Sequence, residues 1–223
     1  MSKIVITGAS GFVGANLAQN LSKTKHQIHV LTRKNSKLWR LEDIKTKLNI
    51  HKVTLDNSKA LKKKLLEIEP KFVFHCATYG VLPSQTNFSK LIKTNLIGTY
   101  NLLQALEECN KLSKLVNLDS SFVYGKKNNS IKENQIAEPI TPYGIVKLSQ
   151  TNLVRYYSVK RKIPSITMRL FTPFGRFDQP GRLITDIMKS LITKKPLTLF
   201  SPYSKRDFIH INDVINALVL ASN

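Results

Sequence analysis

No stretch of this chain approaches the roughly 18 consecutive apolar residues that a membrane-spanning helix requires. Met1-Ser2-Lys3 leads straight into Ile4-Val5-Ile6, so a secretory leader is not expected. Cysteine is scarce: Cys76 and Cys109 stand alone, at what read as a strand end and a helix end. Two such residues make no disulfide framework, so buried thiols and a reducing, cytoplasmic setting are expected. None is needed for stability either, because a chain of 223 residues should bury roughly 70% of its unfolded surface. The five histidines are dispersed, no pair has metal-ligand spacing, and no metal site is expected. Acidic residues are few, 14 against 35 lysines and arginines, for a net charge of +21. That excess attracts anions by long-range field alone. The lysines are nevertheless spread over many helical faces, as in Lys59 to Lys64 and Lys111 to Lys114, which reads mainly as solvated surface.

What is present is an alternation of short apolar runs with helical patterns. Lys3 to Thr7, His29 to Leu31, Ile50 to Val53, Phe72 to Cys76, Leu115 to Leu118 and Ser165 to Leu170 read as buried strands. Ala15 to Leu21, Ser58 to Ile68, Leu91 to Leu106, Tyr143 to Lys160 and Asn212 to Ala221 read as helices. Strands alternating with helices predict an α/β fold, a parallel sheet of right-handed βαβ units. From Phe171 the texture changes, with Pro173, Gly175, Pro180, Gly181, Pro196 and Pro202 punctuating short pieces that predict loops and small elements. Trp39, beyond the second strand, is expected to pack in the core or against a helix rather than to stack on a base.

Between the first strand and the first helix lies Thr7-Gly8-Ala9-Ser10-Gly11-Phe12-Val13-Gly14, with glycines at positions 8, 11 and 14. Missing side chains let backbone approach a diphosphate, the helix N-terminus supplies free N–H groups, and the last glycine lets helix and strand pack closely. Gly8, Ser10, Gly11, Phe12, Val13 and Gly14 are therefore candidate dinucleotide contacts in a Rossmann doubly wound fold. After the second strand, Leu31-Thr32-Arg33-Lys34 offers no carboxylate for a ribose 2′-OH. Arg33 suits a 2′-phosphate instead, which predicts NADP(H) over NAD(H).

Tyr143 and Lys147 stand four apart on one helical face. An ammonium beside a phenol favours the phenolate, so this pair predicts an acid/base tyrosine of lowered pKa. Ser120, at the end of the preceding strand, is placed to hold a developing alkoxide.

Six segments occur in the order found in extended short-chain dehydrogenases: the glycine turn, His75-Cys76-Ala77, Asn95 to Thr99, Ser120 to Gly125, Tyr143 to Lys147 and Arg206 to His210. The chain resembles this family, the nucleotide-sugar epimerases, dehydratases and reductases, along essentially its whole length. The resemblance implies a Rossmann domain over 1–170 and a partial substrate-binding region over 171–223, interleaved with the last sheet elements. It makes Tyr143 the acid/base, Lys147 its ribose-binding partner, Ser120 the catalytic hydroxyl, and Asn95 the support of a structural water. It also places Cys76, Ala77 and Asp56 near the cofactor, Ser121 and Phe122 beside the substrate, Arg169 next to the substrate mouth, and Arg182 and Arg206 on the substrate.

Family dehydratases carry an Asp-Glu pair where this chain has Ser121 and Phe122, so water elimination is not expected. The segments Ala77 to Gly80, Pro83 to Thr86 and Pro180 to Arg182 look most like the 4-keto reductases. The leading expectation is thus reduction of a 4-keto-deoxysugar nucleotide. The alternative is a nucleotide-sugar 4-epimerase with tightly held NAD. Extended members commonly run past 300 residues, so the C-terminal part reads as truncated. A non-catalytic, RNA-binding role, with Tyr156, Tyr157, Lys160, Arg161 and Lys162 as contacts, is a less favoured reading. A homodimer through a four-helix bundle, built from Leu91 to Leu106 and Tyr143 to Lys160, is also implied.

Overall fold

Six strands of four to seven residues lie parallel in one sheet. They are β1 (Lys3–Thr7), β2 (Gln27–Thr32), β3 (Leu48–Lys52), β4 (Phe72–His75), β5 (Lys114–Ser120) and β6 (Ser165–Leu170), in the order β3-β2-β1-β4-β5-β6. The computed structural model describes residues 1–82, 84–127, 130–199 and 205–222; Pro83 and Pro202 lie outside them. The chain enters at the middle of the sheet, winds outward to β3, and returns to lay β4 on the other side of β1. Such a reversal opens a crevice at the C-terminal ends of β1 and β4, where ligands of open α/β sheets bind.

Helices cover both faces, which is why the inner strands read as continuous apolar runs. On one face, α1 (Phe12–Leu21) and α7 (Ile211–Ser222) pack Leu17, Val214 and Leu218 against Ile4, Ile6 and Phe74. On the other, α2 (Ser58–Ile68), α4 (Gly98–Leu106) and α5 (Pro142–Lys160) pack Leu61, Leu102 and Val154 against Val5, Val73 and Leu115. The last helix of the chain is therefore part of the main core.

The helix expected over Leu91 to Leu106 is interrupted. A short α3 (Phe88–Ile92) passes into a π turn at Lys93–Ile97 before α4 begins. The π turn carries the fully buried Asn95, whose carbonyl accepts from Thr99 Oγ1 at 2.6 Å. Past β6 a two-stranded parallel pair, β7 (Thr172–Phe174) and β8 (Phe208–His210), stands apart from the main sheet. The loops expected here also include a helix, α6 (Leu183–Thr193), lying in the proline-free interval between Pro180 and Pro196. None of its residues is buried. Trp39 is likewise not in the core: it is exposed at the start of a 3₁₀ stretch, Trp39–Lys47, with its ring edge-on to Phe177. Among the described residues no helix is long and apolar enough to cross a membrane.

Candidate active site

The turn after β1 is built to bring backbone against backbone. Gly8 has φ +69°, and a Cβ there would lie 2.6 Å from Ala77 N, just past β4. A Cβ on Gly14 would lie 2.5 Å from Gly8 O, so the first turn of α1 rests directly on the loop. Gly11 caps α1 without a side-chain hydrogen bond, and the first helical turn carries no acidic residue. The leading N–H groups of a ten-residue helix thus face the crevice with the positive end of its dipole. These features fit the diphosphate of a dinucleotide. Ala77 N donates to Thr7 Oγ1 at 3.2 Å, tying the two crevice walls together. Beneath them His75 bridges the hydroxyls of Thr7 (2.7 Å) and Thr99 (2.8 Å). Burial pushes His75 down to about 3, so it is neutral at ordinary pH. Burial pushes the thiols of Cys76 and Cys109 up to about 12, which makes them inert.

Thr141 caps α5 by accepting from Gly144 N at 3.1 Å, and Pro142 occupies the first turn. This start delivers Tyr143 to the C-terminal end of β5, beside Ser120. Phe122 meets the Tyr143 ring edge-on with centroids 5.8 Å apart and is itself exposed. Gly80, at φ +97°, leaves room for the phenol: a Cβ there would be 3.1 Å from Tyr143 Cδ2. Ser120 Oγ also accepts from Phe122 N at 3.3 Å.

The electrostatics differ from the expectation. Burial holds the Tyr143 phenol above its ordinary value and the Asp119 carboxylate adds to this, while the hydroxyls of Thr78 and Ser120 and the Arg182 cation pull it down. The Lys147 ammonium is directed to other acceptors. Its ammonium donates to Leu118 O at 2.5 Å and to Gln150 Oε1 at 2.7 Å. Burial pushes it down to about 8, with Asp119 opposing. Gln150 in turn donates to Asn117 Oδ1 at 2.8 Å, so helix and strand lock the lysine from below.

Asp119 and Arg40 at the site were not foreseen. Asp119 Oδ2 accepts from Thr151 Oγ1 at 2.7 Å and pairs with Arg169 Nε at 3.4 Å. Its other oxygen, buried, has no hydrogen-bond partner among the described residues. Arg169 also donates to the Tyr124 hydroxyl at 2.7 Å. An acid inside an apolar strand was the available sign in Leu115-Val116-Asn117-Leu118-Asp119. Asn95 clamps the loop after β4, its amide exchanging two 2.8 Å hydrogen bonds with the backbone of Tyr79. Arg40 lies across the glycine turn, with Nη1 donating to Ser10 O at 3.2 Å.

Of the remaining candidates, Arg182 comes close. It pairs with Asp178 at 3.2 Å, donates to Pro173 O at 2.9 Å, and its guanidinium is 5.9 Å from the Phe12 ring centroid. Arg206 is exposed and donates only to its neighbour's carbonyl, Lys205 O, among the described residues. Arg33 is exposed directly after β2. Asp56, held below the ordinary carboxylate range first by the Thr54 hydroxyl, pairs with Lys93 at 2.9 Å. Val13 and Ser121 are half-buried at their turns. No group of three or more His, Cys, Asp or Glu side chains converges on a metal-sized site among the described residues.

This arrangement sets a turn suited to a diphosphate beside a buried tyrosine that can exchange a proton, and the chain is similar to known proteins. The sequence model of the NAD dependent epimerase/dehydratase family matches residues 4–223. A Bacillus subtilis protein described as an uncharacterized UDP-glucose epimerase is 29% identical over 97% of this chain and 71% of its own length. The UDP-glucose 4-epimerase of Mycoplasma genitalium is 26% identical over 97% of this chain and 70% of its own. The crystal structure of UDP-glucuronic acid 4-epimerase from Bacillus cereus with UDP-glucuronic acid and NAD superposes with a TM-score of 0.86. It is 29% identical, covering 98% of this chain and 72% of that one.

Proposed function

The chain belongs to the NAD dependent epimerase/dehydratase family, and within it we propose that it is a nucleotide-sugar 4-epimerase working with tightly held NAD. The observation that carries this reading is the meeting of Tyr143, Ser120 and Thr78 at the crevice floored by the glycine turn. The expectation of one-way 4-keto reduction gives way, because the similar proteins named above are described as epimerases. The NADPH preference gives way with it: the dinucleotide beside the sugar nucleotide in the similar crystal structure is NAD. An exposed Arg33 is a weak reason to prefer a 2′-phosphate in so basic a chain.

NAD, held through its diphosphate at the turn of Gly8, Gly11 and Gly14, would supply a hydride acceptor for C4. Tyr143 would take the proton of the C4 hydroxyl when C4 is oxidised and give it back when the alcohol is re-formed. Ser120 holds the C4 oxygen through both steps, and its hydroxyl already favours the phenolate. Lys147, locked by Leu118 and Gln150, keeps a buried charge at one place. Phe122 and Ser121 offer no carboxylate, so the Tyr143 cluster has no second acid for removing water.

The test is direct. Protein as isolated is denatured and the released nucleotide identified; NAD is expected. The intact protein then receives UDP-glucose with no added cofactor, and UDP-galactose should appear. Release of NADP, or turnover only when NADPH is added, would restore the reductase. We further propose a homodimer joined through α4 and α5, which leave Tyr100, Ile145, Tyr156 and Val159 exposed. Sedimentation as a monomer at high concentration would refute it.

A further inference from the structure

The segment following β7 is fastened to the glycine turn from three sides. Arg40 reaches from the 3₁₀ stretch and joins the two parts, Nη1 donating to Ser10 O at 3.2 Å and Nε to Phe177 O at 2.9 Å. Asn16, one turn into α1, donates to Arg176 O at 2.8 Å as well as to Phe12 O. Trp39 meets Phe177 edge-on at 5.8 Å, with the Arg40 guanidinium 4.3 Å above the indole centroid. The segment starts at Gly175, whose φ of +135° is matched by Ile211 where a Cβ would stand.

Two features mark this as more than a loop packed on a surface. Phe177 has φ +70°, a left-handed conformation that costs a bulky L-residue of the order of 1–2 kcal/mol and persists only where surrounding ties enforce it. Charge is also out of balance. Arg40 is half-buried, and desolvation pulls its guanidinium below the ordinary value. Arg182 lies nearby, and the one carboxylate acting on both cations is Asp178. That carboxylate is itself nearly inaccessible, and its Oδ2 has no hydrogen-bond partner among the described residues. Two guanidinium groups against one carboxylate leave a net positive charge over a turn whose helix N-terminus also favours anions. Tying two carbonyls together needs donors but no charge, and a cation taken partly out of water earns its place only where an anion comes.

We propose that Arg40 is a positioning residue for the dinucleotide diphosphate, locking residues 176–178 as a strap onto the glycine turn and so slowing release of the cofactor. This rests on the reading above only for the identity of the ligand as a dinucleotide; it does not depend on the sugar chemistry. Slow release suits a cofactor that is regenerated within each turnover.

The test loads the full chain with 1,N6-etheno-NAD and follows its release by fluorescence during a chase with excess NAD. Arg40→Ala should release the probe about tenfold faster, the equivalent of ~1.4 kcal/mol and within the reach of one charge-assisted hydrogen bond. Asn16→Ala should speed release less, and the double variant should be no faster than Arg40→Ala, because both residues fasten one strap. Arg40→Lys should recover much of the loss. The salt dependence of binding should be weaker in Arg40→Ala than in the wild type. If Arg40→Ala does not fold, Arg40→Gln, which keeps a donor without the charge, takes its place and should also release the probe faster than wild type. Release within twofold of wild type in the Arg40 variant that lacks the charge, or rates that multiply in the double variant, would overturn the strap while leaving the epimerase reading intact. A wild type that binds no dinucleotide would overturn both. Faster release from variants of a chain without sugar turnover would uphold the strap alone.

Discussion

Replacing Asp119 by Asn removes a charge from beneath the active site while keeping the side chain's shape. The Thr151 hydroxyl, 2.7 Å from Oδ2, retains an acceptor in the amide oxygen. What is lost is the charge facing Arg169, 3.4 Å away. Asp119 is fully buried but Arg169 is 26% exposed and keeps the Tyr124 hydroxyl as a partner. The cost should therefore fall between that of an exposed pair (up to ~1 kcal/mol) and that of breaking a buried one (~3–5 kcal/mol), at about 2 kcal/mol. In urea this lowers the unfolding midpoint by about 1 M for a slope near 2 kcal/mol per M. The same charge acts on catalysis. Asp119 raises Tyr143, because a nearby anion opposes the phenolate, and raises Lys147, because it favours the ammonium. Removing it lowers both, so the pH–rate profile of epimerisation should move toward acid. A lower urea midpoint with an unmoved profile, or a move toward alkali, would refute the electrostatic role.

Tyr143→Phe should bind NAD within twofold of wild type while turnover falls by about 10²–10⁴, the usual weight of a proton-transfer group; steady-state rates with a dinucleotide titration decide it. Gly8→Ala places a Cβ 2.6 Å from Ala77 N at φ +69°, which should cost about 2–4 kcal/mol in thermal unfolding and abolish cofactor retention. Acid stability depends on His75. Its folded pKa of about 3 lies below the unfolded value of 6.5, so between those pH values the unfolded chain binds more protons and stability falls as pH falls. His75→Gln should flatten this by up to ~1.4 kcal/mol per pH unit in the 3–6.5 window, read by circular dichroism against pH; an unchanged slope would contradict the assignment.

The parts of the fold legible in the sequence are those whose pattern is local. Lys3 to Thr7 is an apolar run closed by a glycine turn, and Ser58 to Ile68 repeats at helical spacing behind the Asn57 cap. The glycine turn was legible because three small residues at fixed spacing have few other uses between a strand and a helix. Tertiary effects were not. The π turn at Lys93–Ile97 leaves no break in the apolar pattern, and Asn95 acquires its purpose only when Tyr79 comes to meet it. Proline spacing suggested loops after Phe171 and hid α6. Arg40 looks like one more solvated cation until Phe177, 137 residues away, arrives at its Nε. Pairing Tyr143 with Lys147 by helical spacing was sound as geometry. It missed that the ammonium would find nearer acceptors in Leu118 and Gln150.

The most direct test of the central claim uses UDP-glucose carrying deuterium at C4, incubated with the protein as isolated and without added cofactor. An epimerase that returns the hydride it removes, with Tyr143 handling only the hydroxyl proton, should yield UDP-galactose with the deuterium still at C4 and none exchanged with water. Washout of the label to solvent, or a product oxidised at C4 that accumulates and never returns to an alcohol, would contradict the account.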